Sequence, residues 1–162
     1  MSTEFTDATP LGEARTWLRD QAEAKGAACP CCQQFTKIYK RKINSGMAYA
    51  LVLMCRAHGT EWQDKTVTLR GVGSAARDES LLRFWGLIEE DKRLREDGGR
   101  AGWWRVTPNG VRFVRGGMRV PKHAVIYDSR LLRFEGVIPG VSVQDCLGDR
   151  FDLAELLAER AG

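Results

Sequence analysis

The chain of 162 residues is poor in histidine, with two, and has no long apolar run; the longest, Met47 to Cys55, spans nine residues. A membrane-crossing helix needs about 20 apolar residues, so that run cannot supply one. The start, Met1-Ser2-Thr3-Glu4, lacks the basic-then-apolar order of a secretory leader. Together these absences set the expectation of a soluble, cytoplasmic protein. Catalytic signatures are missing as well: there is no G-x-S-x-G, no Walker-type loop and no H-E-x-x-H. Gly71-Val72-Gly73-Ser74 is too short to cradle a nucleotide. No internal repeat or low-complexity tract stands out. The expectation is a protein that is not an enzyme and has no catalytic residues.

What is present is charge in blocks. The formal net charge is +4, from 25 basic and 21 acidic residues. Residues 29–58 hold five basic residues and no acidic one, and residues 83–119 hold nine basic against five acidic. The segments around these two blocks are mildly acidic. Polyanion binding is therefore expected of the two blocks and not of the surface as a whole.

The five cysteines are Cys29, Cys31, Cys32, Cys55 and Cys146. An odd number in a reducing compartment makes a poor disulfide framework. Cys29-Pro30-Cys31-Cys32 contains a C-x-x-C pair, and Cys55-Arg56-Ala57-His58 a C-x-x-H pair. Paired short spacings suit tetrahedral zinc, each pair gripping one edge of the tetrahedron. The expected ligands are Cys29, Cys32, Cys55 and His58, with Cys31 adjacent enough to replace Cys29 or Cys32. Four protein ligands would close the coordination sphere, so the expected Zn²⁺ is structural. Cys146 reads as a small apolar filler and His123 as incidental.

Local patterns give the elements. Leu11 to Lys25 is amphipathic through Leu11, Ala14, Trp17, Leu18 and Ala22, and residues 1–10 read as a frayed arm. Met47 to Cys55 reads as a buried helix, with Asn44 and Ser45 as cap candidates and Gly59 as its stop. Further on, a helix carrying Leu81, Leu82, Phe84 and Trp85, started by Ser74 or Asp78, ends at Gly86. A strand follows at Leu87-Ile88-Glu89-Glu90, then a polar loop from Asp91 to Gly102 and a returning strand at Trp103-Trp104-Arg105-Val106. Thr107-Pro108 then starts another helix. Trp103 and Trp104 point to opposite faces of their strand, one into the core. Ala124 to Tyr127 and Leu131 to Phe134 form a last hairpin, and Asp152-Leu153-Ala154-Glu155 opens a last helix.

Phe84-Trp85-Gly86-Leu87-Ile88-Glu89-Glu90 followed by Trp104-Arg105-Val106-Thr107-Pro108-Asn109-Gly110 resembles the wing of winged helix-turn-helix repressors of the multiple-antibiotic-resistance and phenolic-acid-repressor types. The wider pattern adds Cys29-Pro30-x-Cys32, Tyr39-Lys40-Arg41-Lys42-Ile43-Asn44-Ser45-Gly46-Met47 and Arg119-Val120-Pro121-Lys122. Over about residues 28–155 it resembles uncharacterised bacteriophage-encoded proteins that join a zinc site to a winged helix. The resemblance implies double-stranded DNA as partner, a regulatory role, and a place in the host cytoplasm at the nucleoid. With the elements read above, the expected fold is α+β in four stretches. These are an N-terminal helix and arm (1–28), a zinc-stabilised helical segment (29–62), a winged-helix core and wing (63–118), and a C-terminal hairpin and helix (119–162).

In that plan the helix before Gly86 reads the major groove. With Leu81, Phe84, Trp85 and Ile88 facing the core, helical spacing turns Ala76, Glu79, Ser80 and Arg83 outward. The expected DNA contacts are Arg70, Arg77 and Arg83 around that helix and Lys92, Arg93, Arg95 and Arg100 in the wing. One arginine against one glutamate is a thin reading surface, so a second expectation stands beside the first: a non-enzymatic module of the same fold that binds a host protein.

Overall fold

The computed structural model describes residues 3–73, 78–93, 95–99 and 102–158. The fold is mixed α+β, with small antiparallel sheets. The chain divides into two compact units. Unit 1 takes Met1–Arg41 and Val125–Arg133, and unit 2 takes Lys42–Ala124 and Phe134–Gly162. Neither is continuous in sequence, unlike the four stretches expected above, because a late hairpin rejoins the early strand of unit 1.

Unit 1 opens with helix α1, Leu11–Glu23. Residues 3–10 are not a frayed arm: Phe5 packs edge-on against Trp17, with ring centroids 4.8 Å apart. An exposed phenylalanine gains by covering an indole, which overrides the polar character of its neighbours. α1 ends where Gly26, at φ 85°, turns the chain and donates to Gln21 O at 2.7 Å. A Cβ there would lie 2.5 Å from Phe35 Cζ, so glycine is required on two counts. Strands β1 (Ala27–Ala28) and β2 (Phe35–Thr36) then pair antiparallel around the cysteine turn. Strand β3 (Tyr39–Lys42) opens a second sheet, whose order β3-β7-β8 is completed by β7 (His123–Tyr127) and β8 (Arg130–Glu135). Asp128 and Ser129 link β7 to β8, both at positive φ (48° and 57°). Two left-handed residues give the turn a twist that matches the strands.

Unit 2 is built around helix α2, Ser45–His58. Asn44 Oδ1 accepts the Met47 N–H at 2.8 Å, and Gly59 ends the helix. Met47, Ala48, Ala50, Leu51, Val52, Leu53 and Met54 are all buried. Each of the larger ones contributes about 2 kcal/mol by leaving water. Strand β4 (Gln63–Asp64), helix α3 (Lys65–Thr68), a 3-10 helix (Glu79–Trp85) and strands β5 (Ile88–Glu90) and β6 (Trp103–Val106) follow. Their sheet has the order β4-β6-β5, antiparallel throughout, with Gln63 opposite Trp104 and Ile88 opposite Val106. Trp104 is buried and Trp103 is 45% exposed, as the alternation requires. The chain continues through α4 (Pro108–Val114), α5 (Val143–Leu147) and α6 (Leu153–Ala158). α2 packs against the 3-10 helix, α3, α4, α5, α6 and β6. Arg56 of α2 donates to the Leu156 carbonyl at 2.7 Å.

The segment before Gly86 departs from expectation. It winds as a 3-10 helix, so residues three apart share a face, and Leu82 and Trp85 are the buried pair. Leu81 and Phe84 are only half-buried. Glu79 and Ser80 do not point outward: both accept from Lys65 Nζ, at 2.7 and 2.6 Å, while Lys65 sits 4.6 Å over the Trp104 ring. The tighter winding rotates them toward α3.

Gly110 of α4 packs tightly against the chain at Leu87 and Val106. Thr107 Oγ1 accepts its N–H at 3.0 Å and caps α4. A Cβ on Gly110 would fall on the Leu87 carbonyl oxygen and lie 2.6 Å from Val106 Cγ1. Alanine gains about 1 kcal/mol over glycine inside a helix, whereas forcing backbone apart costs about 1–3 kcal/mol or more. Because the clash is with backbone, the cost falls at the upper end of that range, and Gly110→Ala is expected to destabilise the protein by a net ~2 kcal/mol in denaturant unfolding.

Candidate functional site

The cysteine turn of unit 1 is built by the β1–β2 hairpin. Cys29 N donates to Gln34 O and Gln33 N to Cys29 O, both at 2.9 Å, and Gln33 takes the left-handed conformation at φ 65°. Cys29 is half-buried, while Cys31 and Cys32 are exposed. The backbone N–H of Cys32, and then that of Cys31, donates to the Cys29 sulfur and holds its thiol below the ordinary value. Donors aimed at sulfur favour the thiolate, which is the form that binds a soft cation.

The other expected pair lies in unit 2. Cys55 is half-buried in α2, and His58 is the exposed last residue of the same helix. Burial pushes the Cys55 thiol up, against a smaller opposing pull from Arg115. Among the described residues no group of three or more His, Cys, Asp or Glu is drawn together to hold a metal ion. Cys29 and Cys32 lie in the β1–β2 turn, and Cys55 and His58 lie on α2.

The expected DNA contacts fall on unit 2. Arg77 and Arg100 lie outside the described residues. Arg70 is exposed in the turn after α3, and Arg83 is exposed on the 3-10 helix with its guanidinium 4.7 Å over the Phe84 ring. In the β5–β6 loop Lys92 is exposed. Arg93 instead grips Asp91 with one edge of its guanidinium, its Nε at 2.8 Å and Nη2 at 2.5 Å from Oδ2. The Arg93 side chain holds the Asp91 carboxyl below the usual range, and Asp91 in turn raises the arginine. Arg95 Nε pairs with Asp97 Oδ1 at 3.3 Å. The loop therefore spends two of its cations on its own carboxylates.

On the outer face of the β4–β6 pair, Trp103, one of two rings expected on opposite faces, is joined by Trp62 and Arg105, which the sequence did not single out. By register Trp103 stands opposite Asp64, and the Arg105 guanidinium lies 4.5 Å over the ring of Trp62. Arg105 also pairs with Glu89 of β5. Trp62 and Trp103, 36% and 45% exposed, share this face. The alternation at Trp103-Trp104 was the only sequence signal for it, since Trp62 sits in a turn-like stretch.

Comparison with protein-family models, with curated proteins and with solved structures finds no match for this chain. No helix among the described residues is long and apolar enough to cross a membrane.

Cys146 differs from the turn cysteines. It is half-buried in α5, where burial first and Asp145 second push its thiol up to about 12. At pH 8 this thiol is held almost entirely in the protonated form, which does not react. In the presence of chelator, a thiol reagent should label Cys31 and Cys32 in the fast phase and Cys146 last. Cys146→Ser is expected to remove one equivalent from the slow phase alone and leave the fold intact by circular dichroism.

Proposed function

We propose that the protein is a DNA-binding regulator of winged helix-turn-helix type, stabilised by one structural zinc, of the kind found in bacteriophage-encoded proteins. The observation that carries the reading is topological. Helix α2, strand β4, helix α3, the 3-10 helix and the β5–β6 hairpin follow in the order of a winged helix, and the sheet order β4-β6-β5 is the one that plan requires. In this reading α2 is the first helix, the 3-10 helix stands at the recognition position and the β5–β6 loop is the wing. Arg70, Arg83 and Lys92 are the exposed cations available for phosphate, whereas Arg93 and Arg95 shape the wing through Asp91 and Asp97.

Each phosphate contact contributes about 0.9 to the slope of log affinity against log salt on duplex DNA. Lys92→Ala is therefore expected to lower the slope by about 1 on specific and random duplexes alike. Arg83→Ala is expected to act mainly on the preferred sequence. Fluorescence anisotropy over a salt series checks both. An unchanged slope in Lys92→Ala, with the fold retained, takes the wing out of DNA recognition.

The zinc would be held by Cys29, Cys32, Cys55 and His58, with Cys31 able to replace one of the first two. Metal analysis of the purified protein is expected to return one zinc per chain. Cys55→Ser should lose it along with much of the stability, since metal-binding energy is folding energy. Cys146→Ser should keep it.

A second reading is favoured by the outer face of β4–β6. Two exposed tryptophans and an arginine are the residues enriched where one protein anchors another. The module would then bind a host protein through Trp62, Trp103 and Arg105. Absence of duplex binding at low salt, with capture of one host protein abolished by Trp103→Ala, would establish it.

A further inference from the structure

Among the described residues, some cations are paired with carboxylates and some are not. Lys65, Arg93, Arg95, Arg105, Arg119 and Arg133 are all committed to carboxylates. Arg15 and Arg19 are not: both are exposed on α1 and have no carboxylate partner among the described residues. They stand four residues apart, hence about 6 Å along one face of the helix. Both line a groove of about 240 Å³ lying wholly within unit 1. Leu18 and Ala22 of α1 and Ile38, just before β3, make its wall apolar, and Tyr127, 41% exposed at the end of β7, stands at its side.

An apolar wall, a half-exposed phenol and two unneutralised guanidiniums are three separate demands on a ligand. A duplex backbone meets only the last, since its bases are stacked away and its phosphates gain nothing from Leu18 or Ile38. An acidic side chain likewise satisfies the arginines alone. An unstacked nucleotide meets all three, with a flat apolar ring to lay on the phenol and the aliphatic wall and a phosphate on either side of it for the guanidiniums. We propose that this groove binds single-stranded nucleic acid, one base seated against Tyr127 and the adjoining phosphates held by Arg15 and Arg19. None of Arg70, Arg83 and Lys92 lines this groove, and the inference does not rest on the duplex reading.

The test uses the full chain and a labelled single-stranded oligonucleotide of mixed sequence, followed by anisotropy over a salt series. The substituted side chains are exposed, and circular dichroism melts confirm that each variant folds. Single strands contribute about 0.7 per phosphate to the salt slope, so Arg15→Ala with Arg19→Ala is expected to lower it by about 1.4. Tyr127→Ala should weaken binding roughly 5- to 150-fold, the range for loss of one stacked base, while Tyr127→Phe keeps most of the affinity. Lys92→Ala should leave single-strand binding unchanged, which separates this outcome from that of the duplex experiment. No binding of the single strand at low salt, a salt slope unaltered by the double arginine variant, or a mononucleotide binding as tightly as the strand would each overturn the proposal.

Discussion

Unit 2 depends on one constraint: α2 has almost no solvent face. Seven of its residues between Met47 and Met54 are buried, so every neighbour exists to cover it. A helix of 14 residues with this composition would not persist alone in water, because short helices are marginal and an all-round apolar surface needs cover on every side. The 3-10 helix, β6 and α4 close one part of its circumference, and α5 and α6 close another. The Gly110 junction, the buried Trp104 and the Lys65 contact over that ring belong to the same enclosure. The β5–β6 loop and the outer face of the sheet can vary because none of this packing runs through them.

Local signals made much of this legible from the residues. Asn44, Gly59, Thr107-Pro108 and Gly86 mark element ends through capping and turn chemistry that depends on a few neighbouring residues, and those ends fall where expected. The Trp103-Trp104 alternation gave one buried and one exposed ring for the same reason. Helix α5 escaped notice although its signal was present: Ser142 and Asp145 form a reciprocal capping box. What was not legible was of another kind. The 3-10 winding at Glu79–Trp85 occurs where the segment packs on α2, a contact distant in sequence. That winding reverses the direction of Glu79 and Ser80. The pairing of β3 with β7 joins strands some 80 residues apart, which no local pattern records.

Charge shows the same division. The two basic blocks are real in sequence, yet formal charge is not free charge. Arg93 and Arg95, the most wing-like of the expected contacts, are neutralised within two residues of themselves. Loop geometry decided this, since Asp91 is held by its backbone bond to Trp103 and so presents its carboxylate to Arg93. Conversely, Arg15 and Arg19 lie in a stretch whose net charge is negative and draw no attention as sequence. Which cations remain available to a ligand is settled by the carboxylates within reach, a property of the folded surface.

The bond from Arg56 to the Leu156 carbonyl spans 100 residues of chain. During synthesis α2 is therefore complete long before the segment that covers its last turn has been made. At roughly 5–20 residues per second, the interval is on the order of 5–20 s. For that time the most apolar helix of the protein is attached to a growing chain without its final lid. The nascent chain thus presents a surface that the finished protein hides, and it is in this interval, not in the native state, that the sequence is most exposed to capture by chaperones or by another copy of itself.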